Sequence, residues 1–411
     1  MQRYYFDYAA STPVDSDAIK AMRPYFSDRF GNPGALHWFG QEASAAVFKA
    51  RSSIAALLGC HYKEVVFTGS ATEANNLALR GAVARWQELN PSAVPKIVVS
   101  AIEHESVLET CEALKKTGAE IVIVPVDDKG IIDTKKLKSA IDNRTAVVSV
   151  MYANNEIGTI QPVSEIAGII SNFRKQMANN RKNTISHKPL AISHWPLFHT
   201  DAVQAFNYLP CRTTELGADS ITLSGQKIYG PKGVGILYIR GLAGNNKKII
   251  PIITGGGQEM GVRSGTENVP AIVGFSKAAE LVSESREFET KRLRKLQEYF
   301  LMRMEKIIPT ARMNGDRKNR LPNNINLYFP LNSVGRNKSS QDLIIKLDLA
   351  GFAVSPGAAC SARVCQPSHV LKAVGFSDER ASNSLRITFG RQTRKQDIDK
   401  LLAAFKNIIK H

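Results

Sequence analysis

At 411 residues the chain is long enough for two domains and a large buried core. Its 43% hydrophobic and 22% charged content describes a soluble globular protein, with no apolar run near the ~20 residues of a membrane span. An excess of 54 Lys+Arg over 37 Asp+Glu gives +17, but the basic residues are dispersed and form no recognisable nucleic-acid module, so direct nucleic-acid binding is not expected.

The N-terminal MQRYYFDYAASTP lacks the basic-then-apolar pattern of a secretory signal, which points to a cytoplasmic enzyme. From about residue 55 to 240, strand-like and helix-like segments alternate. KEVVFT is followed by the helical ATEANNLALRGAVARW, then KIVVSA by ESVLETCEALKK and AEIVIVPV. TAVVSVMYA, PLFHTDAV, SITLS and GVGILYIR continue the series. Short β-branched runs between helices predict an α/β fold with a mainly parallel sheet, covered on both faces, that binds ligands beyond the carboxyl ends of its strands.

The residues after each strand are therefore the informative ones. Thr68-Gly69-Ser70-Ala71-Thr72 runs straight into a helix, whose N-terminus suits an anion such as a phosphate. Later strand ends deliver Glu103-His104-Glu105, Asn154-Asn155-Glu156, Asp201 and Gln204 in HTDAVQ, and Ser224, Gln226 and Lys227 in SGQK. Singly these are weak signals, because an Asp there is usually a helix cap and a lone His is usually structural. Their convergence on one sheet edge predicts a site.

Beyond residue 255 the pattern changes. Gly-rich TGGGQEMGVRSGTEN leads into a long charged helix, and NNINLYF, GFAVS and SLRITFG read as strands of a smaller α+β unit. The predicted division is a large domain over 15–255 and a small domain over 256–411, joined by 1–14. The five cysteines are scattered, which argues against a disulfide framework. Cys360 and Cys365 lie close together in PGAACSARVCQPS, but C-x4-C without a second pair is a poor zinc signature, and no metal is expected. The small residues before Cys360 suggest a loop with an accessible thiol.

Taken in order, these motifs resemble the cysteine desulfurases related to NifS and IscS, within the class V aminotransferase group. The resemblance covers nearly the whole chain: YFDYAASTPV, FGNPGALHWFG, TGSATEANN, EHESVLETC, NNEIGTIQPV, HTDAVQ, SGQKIYGPKGVG, GGGQEMGVRSGTENVP, SPGAACSARVCQPSHVL and SLRITFGRQT. It implies a pyridoxal 5′-phosphate-dependent transferase of fold type I, with Lys227 forming the Schiff base to the cofactor. Ala71, Thr72, Ser224 and Gln226 would hold the phosphate, and Thr266 would reach the phosphate of a neighbouring protomer in a homodimer. Asp201 would pair with the ring nitrogen, Gln204 and Asn155 would bond the ring hydroxyl region, and His104 would stack on the ring. Asn154 is expected to be structural, and Lys232 to lie outside the chemistry.

The resemblance further implies that Arg386, rather than Arg391, grips the substrate carboxylate, with Asn155 beside it. L-Cysteine would become L-alanine, its sulfur passing to Cys360 as a persulfide for an acceptor such as an iron–sulfur scaffold or a tRNA-thiolation protein. Cys365 is expected to be incidental. Three features depart from the usual pattern: Gln226 where many members have histidine, Ser70 in place of a glycine, and an apparent basic insertion at 174–195. The insertion carries Arg174, Lys175, Arg181, Lys182 and Lys188. It reads as an exposed loop, with a docking surface for an acidic partner as the minority reading. The rival functions are a selenocysteine lyase or related aminotransferase on the same cofactor, and a catalytically silent sulfur-assembly subunit. An intact set of Lys227, Asp201, His104, Arg386 and Cys360 argues against the silent subunit.

Overall fold

The computed structural model describes residues 2–182, 195–244, 248–330, 340–356 and 367–410. After the short β1 (Tyr4–Tyr5), the large sheet is built from β2 (Val65–Thr68), β3 (Lys96–Ser100), β4 (Glu120–Val124), β5 (Thr145–Ser149), β6 (Leu197–Asp201), β7 (Ser220–Ser224) and β8 (Gly235–Ile239). Their spatial order is β2-β8-β7-β6-β5-β3-β4. Only β8 opposes its neighbours, being antiparallel to β2 and β7, so the sheet is mainly parallel as expected.

Every residue of β2, β3, β5, β6, β7 and β8 is buried, as strands covered on both faces must be. Successive side chains go to opposite cores. Val65, Phe67, Val98 and Ile221 join a cluster with the helices over Trp38–Leu58 and Val269–Ile307, whereas Val66, Ile97, Val99 and Leu237 pack on the helix over Ala71–Leu89. Strand β4, at the edge, is half-buried, with Ile123 exposed.

A smaller antiparallel sheet has the order β12-β13-β10-β9, from β9 (Arg312–Met313), β10 (Asn324–Tyr328), β12 (Ser355–Pro356) and β13 (Ser384–Thr388). Strand β11 (Phe352–Ala353) pairs in parallel with β1, and the Thr388 N–H donates to the Phe6 carbonyl. The first residues of the chain thus lie against its last strands.

The basic segment differs from the loop expected. Residues 174–182 continue the helix over Val163–Lys182, and the Arg174 guanidinium donates to the buried Asp219 carboxylate and the Pro196 carbonyl. No proline interrupts the helical pattern, and a carboxylate buried as deeply as Asp219 requires a cation. Lys248, 3.2 Å away, is a second one. Residues 183–194, with Lys188, lie outside the described residues.

Candidate active site

The carboxyl ends of the parallel strands surround a cavity of about 320 Å³. Its walls include Ala71, Thr72, His104, Asn155 and Asp201, together with Gln204, Ser224, Gln226, Lys227 and Arg386. Ten residues singled out from the sequence thus meet in one place. Thr266 does not line this cavity and is exposed, while Lys232 is exposed away from it. Cys360 and Cys365 lie outside the described residues.

One wall is the start of the helix over Ala71–Leu89, whose first-turn N–H groups have no intrahelical acceptor. Ser70 is its N-cap: the hydroxyl accepts from Glu73 N at 3.1 Å, and Glu73 Oε2 accepts from Gly69 N at 2.8 Å. The serine that departs from the usual glycine therefore completes a capping arrangement, secured by Arg263 on Glu73 at 2.7 Å. Gly235 of β8 lies directly behind this turn. A Cβ there would stand 2.8 Å from Ser70 C and 3.0 Å from Ala71 N, so only glycine lets the strand pass.

Lys227 sits in the turn after β7, and its Nζ donates to the carbonyls of Ala9, at 2.9 Å, and Ala10. Gln204 Nε2 donates to the same Ala9 oxygen at 3.0 Å. The Ala9 N–H bonds Thr388 Oγ1 at 3.0 Å, so the N-terminal segment is tied to β13 while it holds the lysine. These contacts span 218 and 379 residues of sequence.

At the end of β6, the Asp201 carboxylate accepts from Val203 N at 2.9 Å and from Asn75 Nδ2 at 2.8 Å. His104 N-caps the helix over Glu105–Lys116 through Nδ1. Burial lowers its proton affinity and Lys227 lowers it further, against the pull of Asp201. Beneath the cavity floor, Ser149 Oγ lies 2.9 Å from His199 Nδ1 and 3.5 Å from Glu103 Oε2. Burial pushes the His199 pKa down to about 4, so its ring is neutral at pH 7, and it raises that of Glu103 well above the ordinary carboxylate value.

Arg386, on β13, is 2% exposed. It bonds Asp7 Oδ1 at 2.9 Å, the Asn155 carbonyl at 3.2 Å and Ser355 Oγ at 3.3 Å. Its Nε is buried with no hydrogen-bond partner among the described residues. Arg391 instead pairs with Asp15 and lies over the Tyr229 ring, away from the cavity. Asn154 is fully buried, and its Oδ1 accepts from Glu156 N and Ile157 N in the turn after β5. The cavity also includes Glu156, one of the strand-end residues, and Ala9, Ala10, Ser106 and His369, none of which was singled out. His369 follows Cys365 closely in CQPSHVL, and that proximity was the one signal that could have raised it.

A protein-family model described as aminotransferase class-V matches residues 4–401. Cysteine desulfurase IscS of Dictyoglomus turgidum is 40% identical over 98% of this chain and 94% of its own length, and IscS 1 of Archaeoglobus fulgidus is 40% identical over 98% and 96%. The chain belongs to the cysteine desulfurase family. Among solved structures, a NifS-like protein superimposes with a TM-score of 0.85 at 33% identity, over 100% of both chains. SspA, solved in complex with cysteine, gives a TM-score of 0.75 at 33% identity over 94% of this chain and 98% of that one. The family's fold is that of the pyridoxal phosphate enzymes of fold type I, and no described helix is long and apolar enough to cross a membrane.

Proposed function

We propose that this protein is a cysteine desulfurase that converts L-cysteine to L-alanine and carries the sulfur as a persulfide on Cys360. The observation that carries the reading is the meeting of Lys227, Asp201, His104 and Arg386 in one cavity of a chain that matches cysteine desulfurases along almost its whole length. The donor set fits pyridoxal 5′-phosphate. It offers a helix N-terminus with Ser224 and Gln226 for a phosphate, a buried carboxylate for a ring nitrogen, and a primary amine for an aldehyde. When bound, the cofactor supplies an electron sink that loosens the bonds to the substrate Cα.

The protein's own groups then divide the work. Arg386, whose Nε lacks a partner among the described residues, binds the substrate carboxylate. Lys227, held by two backbone carbonyls, takes and returns protons at Nζ. Cys360 takes the substrate sulfur: a sulfur–sulfur bond forms, the carbon–sulfur bond breaks, and the carbon skeleton leaves as alanine. The three cysteines among the described residues are poor rivals, because burial pushes the thiols of Cys60, Cys111 and Cys211 up to about 12 and none of the three lines the cavity.

The same reading makes the protein a cytoplasmic homodimer, with 15–255 as the cofactor-binding unit and 256–411 plus 1–14 as the smaller one. Exposed Phe26, Phe30, Leu36 and Trp38 favour a covering partner, and the exposure of Thr266 supports its serving a second protomer. The sulfur acceptor would be a protein such as an iron–sulfur scaffold. Alanine release from L-cysteine under reducing conditions tests the function. The parent should release alanine and sulfide, and Cys360→Ala should retain the cofactor's absorbance yet release neither. Equal turnover in both proteins would remove Cys360 from the reaction.

A further inference from the structure

Asn75 is fully buried on the helix over Ala71–Leu89, and its side chain bridges two other elements. Nδ2 lies 2.8 Å from Asp201 Oδ2 on β6 and 2.8 Å from Ser106 Oγ at the start of the helix over Glu105–Lys116. A carboxylate oxygen only accepts, so the amide must present its NH₂ on this side. That orientation leaves Asn75 Oδ1 buried and without a hydrogen-bond partner among the described residues. An unpaired amide oxygen in the interior is unfavourable. A leucine of similar size would avoid it, so the presence of asparagine is accounted for by what its two N–H groups hold.

The donors can be followed further. Ser106 Oγ receives one Asn75 N–H, so its own hydrogen goes to its other neighbour, His104 Nδ1 at 2.9 Å. The Ser106 backbone N–H approaches the same nitrogen at 3.0 Å. A ring nitrogen that accepts from two donors does not carry the proton, which leaves it on Nε2. The charged and titratable groups facing this ring are Asp201 from β6, Lys227 from the turn after β7, Glu105 on its own helix and His369 from the helix over His369–Ala373.

We propose that Asn75 and Ser106 are positioning residues that join Asp201 to His104 and lock the imidazole as its neutral Nε2–H form. His104 then offers the cavity a hydrogen-bond donor rather than a base, which leaves proton abstraction to Lys227. The inference deepens the reading of this cavity as a pyridoxal phosphate site and rests on it, but the state of the ring can be measured independently of turnover.

The test is ¹⁵N NMR of histidine-labelled protein as purified with its cofactor, with the His104 signals assigned by His104→Gln, alongside the pH dependence of the cofactor absorbance. The parent at pH 7.5 should show a protonated Nε2 and an unprotonated Nδ1. In Asn75→Ala and Ser106→Ala the midpoint of His104 protonation should rise by about one pH unit, a tenfold gain in proton affinity, and Ser106→Thr should restore it. A parent ring protonated on Nδ1, or folded variants whose midpoints match the parent's, would overturn the proposal. The parent tautomer stands as a result even if the buried variants fail to fold. An Nε2–H ring in a parent that shows no cofactor absorbance would support the lock while sinking the cofactor reading.

Discussion

His199 shows how a residue beside the chemistry can govern the conditions under which the site exists. Its pKa is driven down to about 4 by burial, against about 6.5 in an unfolded chain. The native state therefore binds fewer protons than the unfolded state across that window. The contribution of His199 is complete above pH 6.5 and is lost as pH falls toward 4. The loss should be on the order of 3 kcal/mol, at about 1.4 kcal/mol per pH unit. Glu103, raised by burial, contributes with the opposite sign: its share is complete below the ordinary carboxylate pKa and declines as pH rises. Urea titrations from pH 8 to pH 4 should show a steeper acid loss for the parent than for His199→Asn, and equal slopes would remove the histidine from the account. The strand-end residues Lys227, Asp201 and His104 were legible in the sequence because each follows an apolar run and bears a functional group. Ala9 and Ala10 were not, because they act through carbonyls that any residue carries, across more than two hundred positions. Asn75 and Ser106 were hidden for a related reason. In a helical pattern, a buried polar residue looks like any other until its partners on other elements are known.

Elements, rather than single groups, set the anion-binding wall. Gly235 is not in the left-handed region, so its requirement is purely steric: a Cβ would meet backbone atoms of Ser70, Leu223 and Ala71 at 2.8 to 3.0 Å. Gly235→Ala should push β8 from the helix start and cost about 1–3 kcal/mol of stability. It should also release pyridoxal phosphate during dialysis that leaves the parent loaded. Retention equal to the parent's would show that the wall absorbs the methyl group. A second joint holds β2. The Arg51 guanidinium bonds both oxygens of Glu259, which also accepts from Phe67 N at 2.9 Å, and Glu259 itself stands at φ +49°. Glu259→Gln leaves a buried cation without its counter-charge and should lower stability by about 3–5 kcal/mol in denaturant titration. The sequence made the sheet's parallel character legible through its repeated strand–helix alternation. It did not reveal that β8 inserts between β2 and β7, because pairing order leaves no mark on a strand's own composition. Nor did it show the helix carrying on through residues 174–182, where the basic run masked a buried partner, Asp219, forty-five positions away.

At the scale of the whole molecule, the two sheets are sewn together by the first dozen residues. Asp7 pairs with Arg386, Ala9 bonds Thr388, and Thr12 bonds the Gln226 carbonyl at 3.0 Å. Deleting residues 2–11 should leave the far-UV circular dichroism of the large sheet largely intact while abolishing cofactor retention. A deletion variant that still holds the cofactor would show that the lysine needs no such cover. The same stitching sets a clock on the protein's birth. Lys227 and its N-terminal cover are made early, but the strand that anchors that cover ends at Thr388, near the tail of the chain. At about 5–20 residues per second of synthesis, roughly 10–30 s separate the emergence of the lysine from that of its last tether. Until then the cover over Lys227 lacks its Thr388 tether, so a chain truncated ahead of β13, which also lacks Arg386, should release no alanine from L-cysteine.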